Sequence, residues 1–186
     1  MTSEDPKSDD VGSVLLLTGP PGLGKTSVAD IVASRFDRSV HVEADRFFSF
    51  VVGGYVDPWD PEAHEQNSVV MEIASEVARR YAEAGYFTIL EGIFIPGWFY
   101  ESTRERLRSA PLEVASAILR PPLATTVARA RPRTPPKRLG DEILEDLWRA
   151  FSDLGPLERY VIEDDTQDAE RTAEIVIRRL QDGSLR

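Results

Sequence analysis

Gly19-Pro20-Pro21-Gly22-Leu23-Gly24-Lys25-Thr26 decides the reading of this chain, because the octet fits the pattern G-x-x-x-x-G-K-[ST]. The spacing has a physical basis. Glycines allow a backbone path that turns successive N–H groups into one concavity, where phosphate oxygens can sit. A helix starting at Lys25 directs its positive dipole end to the same place. Lys25 can reach the β- and γ-phosphates of a nucleotide, and the Thr26 hydroxyl can hold Mg²⁺. With 12 glycines and three lysines in 186 residues, an accidental match arises in about 0.2% of such chains. Gly19, Gly22, Leu23, Gly24, Lys25, Thr26 and Ser27 are therefore the expected nucleotide contacts, with ATP and Mg²⁺ as the implied ligands.

The flanks supply the required context. Ser13–Thr18 (SVLLLT) is an apolar run without alternation, which suits a strand buried on both faces, and Lys25–Phe36 can form the helix. Further along, Val40–Ala44, Tyr86–Leu90, Glu113–Leu119 and Tyr160–Ile162 read as four more short strands. Between them, Phe47–Trp59 predicts a short helix and a loop. Asp60 and Pro61 form a capped helix start; Val69, Val70, Ile73, Val77 and Tyr81 recur at helical spacing, and Gly85 can end that helix. Leu123–Arg131, Asp141–Phe151 and Asp168–Leu180 complete the helices. Strands alternating with helices imply a parallel sheet covered on both faces, an α/β fold.

Length and composition set the limits. At 20.8 kDa, 41% hydrophobic and 29% charged, the chain is the size of one domain with a sizeable core. Residues 1–11 read as a disordered acidic tail and 12–186 as a single domain. The absence of cysteine excludes disulfides, thiolate metal sites and a cysteine nucleophile. No run approaches the ~20 apolar residues of a membrane span, and the acidic, polar start is the opposite of a secretory signal. The expected location is the cytoplasm, as a monomer or a homodimer. A net charge of −10 disfavours nucleic acid and anionic membrane as partners. Yet no acidic residue stands between Glu113 and Asp141, where Arg120, Arg129, Arg131, Arg133, Lys137 and Arg138 cluster. This positive island suits a small anionic ligand.

Ligands of open α/β sheets bind beyond the carboxyl ends of the strands, which directs attention to Asp45, after the second strand, and Glu91, after the third. A carboxylate at Asp45 can accept a proton from a substrate hydroxyl or orient it; otherwise it caps a helix over Arg46–Phe50. Arg46 can hold an anionic acceptor or form a surface ion pair. Glu91 can hold a metal-bound water, contact the acceptor, or serve structure alone. Phe47, Phe48, Phe50, Tyr55 and Trp59 form one aromatic loop, and Phe94, Trp98, Phe99 and Tyr100 another. Some of these belong to the core, and their density hints at an acceptor with a flat or apolar part. His41 and His64 lack a triad partner or metal-ligand spacing and receive no chemistry.

The phosphate loop and its surroundings resemble the P-loop kinases of the nucleoside-monophosphate-kinase type, within the loose group of chloramphenicol phosphotransferase, zeta toxins and gluconate kinase. The resemblance covers about residues 13–180 in element order, with specificity only in the loop. It implies a three-layer αβα sandwich with a five-stranded parallel sheet in the order 2-3-1-4-5. A mobile Arg-rich lid, about 129–140, is implied between the last two strands. In such kinases an Asp at the position of Asp45 contacts the acceptor hydroxyl. One lid arginine stacks on adenine, a role carried to Arg129, and another neutralises the transferring phosphoryl, carried to Arg133 with Arg131 competing. Related kinases usually show Asp where this chain has Glu91. A solvated basic loop is the alternative for the lid.

The function implied is phosphotransfer from Mg·ATP to a hydroxyl of a small molecule of antibiotic, sugar or nucleoside type. A nucleotide or polynucleotide kinase, or an ATPase without transfer, is the alternative. A guanine-specific switch is excluded, because none of Lys7, Lys25 and Lys137 follows an Asn. An ATP-hydrolysing motor usually ends an apolar strand in Asp-Glu, a pair that Ile89-Leu90-Glu91-Gly92 does not supply.

Overall fold

The computed structural model describes residues 12–130, 140–163 and 168–186. Five parallel strands form one sheet in the order β2-β3-β1-β4-β5: β1 (Ser13–Thr18), β2 (Ser39–Glu43), β3 (Phe87–Glu91), β4 (Glu113–Leu119) and β5 (Val161–Ile162). The helices are α1 (Lys25–Ala33), α2 (His64–Glu83), α3 (Tyr100–Arg108), α4 (Leu123–Ala130), α5 (Asp141–Arg149) and α6 (Ala169–Gln181). This is the expected α/β class and the expected strand order.

The period of two along β1 sorts the core into two layers. Leu15 and Leu17 join Ile89, Ala115, Ala117 and Leu119 under Val28 and Val32 of α1 and Ala173 and Val176 of α6. Val14 and Leu16 join Val42, Leu90 and Val114 under Val70, Met71, Ala74 and Ala78 of α2 and Leu107 of α3. Because Val42 and Leu90 point to the α2 side, their neighbours His41, Glu43 and Glu91 face α1. Register fixes their depth: Glu43 lies opposite Glu91, and Glu91 opposite Leu17, one residue before β1 ends.

Several elements differ from the sequence reading. α1 stops at Ala33, where Arg35 and Phe36 take tighter i−3 bonds to Val32 and Ala33, and Phe36 stacks on Phe87 at 3.7 Å. The Asp60-Pro61 start forms a 3₁₀ turn over Pro61–Ala63 before α2, and Asp60 bonds it through its carbonyl, not its carboxylate. α3 has no counterpart in the sequence reading, being a polar helix that buries only Tyr100, Thr103 and Leu107. Tyr160 closes a 3₁₀ turn over Gly155–Tyr160, so β5 is two residues long. Asp168, read as the first residue of the last helix, is instead the N-cap of α6, accepting from the Glu170 and Arg171 amides. The acidic tail and, within the lid region, Arg131, Arg133, Lys137 and Arg138 lie outside the described residues.

Candidate functional site

The octet joins β1 to α1 at the carboxyl edge of the sheet. Gly19 has φ +143°, and a Cβ there would stand 2.1 Å from the Leu119 carbonyl oxygen at the end of β4. The loop can leave β1 this close to β4 only with glycine. Gly24 caps α1 with φ +77° and no side-chain bond to the first amides, which leaves the helix N-terminus to other acceptors. Thr18 anchors the entry by accepting from the Phe94 amide at 2.9 Å and donating to the Phe94 carbonyl at 3.2 Å. The segment after β3 is thereby tied to the loop.

Lys25 is buried, a position charged side chains rarely take without partners. Its ammonium donates to the carbonyls of Gly19 (3.1 Å) and Pro20 (3.0 Å) and stands 3.9 Å from Glu91 Oε1. Thr26 donates its hydroxyl to Glu91 Oε2 at 3.2 Å. Register between β1 and β3 and the one-residue step from Lys25 to Thr26 put both α1 side chains over one carboxylate. Glu91 is also buried. Burial would raise its carboxyl, but His41, Lys25 and the Thr26 hydroxyl outweigh that and hold it below 4.5.

His41 completes the cluster. Its Nδ1 is 2.8 Å from Asp30 Oδ1, and its Nε2 is 3.7 Å from Glu91 Oε2. The second distance is electrostatic contact and too long for a closed hydrogen bond. Burial alone would lower the imidazole, yet Glu91 and Asp30 together raise it above 6.5. Sequence reasoning assigned His41 nothing. The available signal was periodic: Asp30 is one helical turn after Thr26, and His41 alternates with Glu43 on the face turned to α1.

The remaining candidates are more dispersed. Asp45 is exposed and lies inside a 3₁₀ turn over Ala44–Phe50 whose N-cap is Glu43, so it does not cap that turn. Its charge helps to raise the Tyr55 phenol, behind desolvation and Asp57. Arg46 is exposed and paired with Glu43, which matches the surface ion-pair alternative for it. Arg129 belongs to α4. Arg133 lies outside the described residues. Of the aromatics, Phe48, Phe94, Phe99 and Tyr100 are core, whereas Phe50 (72%), Tyr55, Trp59 and Trp98 (61%) are exposed.

The Thr26 hydroxyl and the Glu91 carboxylate are two hard oxygen donors in mutual contact, the chemistry Mg²⁺ takes when phosphate oxygens and water complete its shell. Among the described residues, no group of three or more His, Asp or Glu side chains is arranged to hold a metal ion. None of their helices is long and apolar enough to cross a membrane.

Comparison with known proteins agrees with this architecture. The family model described as "ATPase family associated with various cellular activities (AAA)" matches residues 15–84. Over 63 residues the chain is 40% identical to a Lon protease of Leptospira interrogans and to one of Treponema pallidum. Those stretches span 34% of this chain but only 7% and 6% of the proteases, so the likeness is to a short segment of far longer proteins.

Among solved structures, the Deinococcus radiodurans tunicamycin resistance protein superposes with a TM-score of 0.70 at 16% identity, covering 91% of this chain and 95% of that one. A sugar kinase from Janibacter gives 0.67 at 22%, covering 91% and 95%. A gluconokinase from Sinorhizobium meliloti gives 0.62 at 16%, covering 93% and 95%. Nearly whole-chain superposition at such identities shows a shared fold, the P-loop αβα sandwich.

Proposed function

We propose that this chain is an ATP-dependent phosphotransferase that moves the γ-phosphoryl of Mg·ATP to a hydroxyl of a small molecule of antibiotic, sugar or nucleoside type. The observation that carries the reading is the Lys25–Thr26–Glu91 cluster, with Lys25 and Glu91 buried, at the carboxyl edge of a sheet whose order and size match small kinases. In this reading residues 12–186 are one kinase domain, and residues 129–140 are its lid.

Each residue has a task. The loop amides of Gly22 to Ser27 and the N-terminal end of α1 bind phosphate oxygens, and Lys25 exchanges its bonds to the Gly19 and Pro20 carbonyls for phosphate. Thr26, with Glu91 behind it, holds Mg²⁺, which when bound neutralises charge on the phosphates. Asp45 takes the proton from the acceptor hydroxyl as its oxygen bonds to the γ-phosphorus and the bond to the β-phosphate oxygen breaks, releasing ADP. Lys25 and Arg133 stabilise the charge spread over the transferring group. Arg129 stacks on the base. Arg46 and Glu91 line the acceptor side, where the exposed Phe50, Tyr55, Trp59 and Trp98 favour a substrate with an apolar or flat portion.

The match to the AAA family favours one second reading, an ATPase without an acceptor. A mass-spectrometric screen separates the two. Purified protein, Mg·ATP and mixed hydroxyl compounds are incubated beside an Asp45→Asn control. The expected result is a product heavier by one phosphoryl group that the control lacks. ADP formed equally by both proteins, with no phosphorylated acceptor, would establish the ATPase reading instead.

A further inference from the structure

We propose that His41 is a positioning residue for the nucleotide centre: oriented by Asp30, its imidazole holds the Glu91 carboxylate toward Thr26. The inference rests on reading the Lys25–Thr26 loop as an Mg·nucleotide site, and concerns a residue that would touch neither nucleotide nor acceptor.

The geometry is a chain of four side chains. Asp30 Oδ1 meets His41 Nδ1 at 2.8 Å, His41 Nε2 faces Glu91 Oε2 at 3.7 Å, and that same oxygen accepts from Thr26 Oγ1 at 3.2 Å. Asp30 is mostly exposed (68%), whereas the imidazole is largely buried (13%) and Nε2 is fully buried without a hydrogen bond. A carboxylate bonded to Nδ1 fixes the orientation of an imidazole and so directs its other nitrogen. Here that nitrogen is directed at Glu91.

The need for such a brace follows from Lys25. Glu91 has two oxygens and two nitrogen-bearing neighbours, with the Lys25 ammonium 3.9 Å from Oε1 on one side and the His41 ring 3.7 Å from Oε2 on the other. Without His41, the carboxylate's strongest remaining partner is the Lys25 ammonium. Rotation toward it would take Oε2 away from Thr26 and neutralise the cation meant for phosphate. His41 thus keeps one oxygen on the metal side and leaves Lys25 its charge.

Calorimetric titration of the full chain with ADP, with and without MgCl₂, tests this without relying on turnover. In the wild type, Mg²⁺ is expected to tighten ADP binding. In His41→Leu that tightening should shrink about tenfold, the usual scale for losing a partner behind a metal ligand, while affinity for ADP alone stays within about twofold. His41→Gln keeps an N–H donor and should recover most of the effect, which a purely structural role would not predict. Asp30→Ala should lose a smaller part, and should add nothing in the His41→Leu background because it acts through the imidazole.

Equal Mg²⁺ tightening in wild type and His41→Leu overturns the proposal, as does an additive effect of Asp30→Ala. So does a wild type whose ADP affinity ignores Mg²⁺. If His41→Leu does not fold by circular dichroism, the exposed Asp30 carries the test: unchanged Mg²⁺ tightening in Asp30→Ala then overturns it. Failure to find a phosphorylated acceptor, with Mg²⁺-dependent ADP binding intact, removes the kinase reading and leaves this inference standing.

Discussion

Lys25 is where structure and chemistry compete most directly. Its ammonium is buried against two loop carbonyls and beside a buried carboxylate, so it serves the free protein as well as any bound phosphate. Lys25→Met keeps the alkyl stem and removes the charge. It is expected to lower nucleotide turnover by about 10²–10³, the scale for deleting one preorganised charge-stabilising group. It should also lower the melting temperature, because the buried Glu91 carboxylate loses the ammonium beside it. Steady-state kinetics beside calorimetric melting would check both parts, and near-normal turnover would remove Lys25 from the mechanism. Asp45 offers the contrast. It is exposed, and Asp45→Asn should leave ADP affinity unchanged while turnover falls. Equal loss of affinity and turnover would make Asp45 a binding or structural group.

At the scale of elements, legibility followed burial. β1 and β4 are apolar over most of their length and were readable to the residue, while β2 and β3, which end in polar side chains at the site, were read one residue off. α3 was missed because a helix burying three of nine residues carries little apolar periodicity. The place of Lys25 and Thr26 at the start of α1 was readable because spacing along one segment specifies it. The place of His41 was not, since it depends on β2 pairing with β3 in a register that brings it within 3.7 Å of Glu91, a long-range fact no local pattern states. The loop's backbone also makes a testable element. Gly19→Ala would drive a Cβ to 2.1 Å from the Leu119 carbonyl oxygen, so both strands must shift. Gly97→Ala has φ +80° but nothing within 4 Å and should cost only the ~1–2 kcal/mol of a left-handed alanine. Melting curves and ADP titrations of the pair should show the larger melting loss in Gly19→Ala, and loss of ADP affinity there alone. Equal losses would mean that the β1–β4 junction is more compliant than its packing indicates.

For the molecule as a whole, the cluster makes stability depend on pH in two opposing ways. Glu91, Glu76 and Glu158 have folded pKa values below 4.5, and Asp182 lies below 3.8. Each binds fewer protons folded than unfolded in the acid range, so its stabilisation is complete above the unfolded value and is lost as pH falls through the folded one. Glu76 is held at about 2 by Arg79 and then Arg80. Those partners sit on the solvent side of α2, where screening leaves ion pairs little net effect, so the acid limb belongs mainly to buried Glu91. His41 runs the other way. Its folded value is raised above 6.5, against the cost of burial, by Glu91 and Asp30; its contribution is therefore complete below 6.5 and disappears as pH rises through the folded value. Self-repulsion in a chain of net charge −10 adds to that alkaline decline. The nucleotide-free protein should melt highest between about pH 4.5 and 6.5 and lower on both sides. His41→Gln should flatten the alkaline limb and keep the acid one. Scanning calorimetry across that range decides the matter: a midpoint that keeps rising above pH 6.5 in the wild type would mean that His41 is not held between two carboxylates in solution.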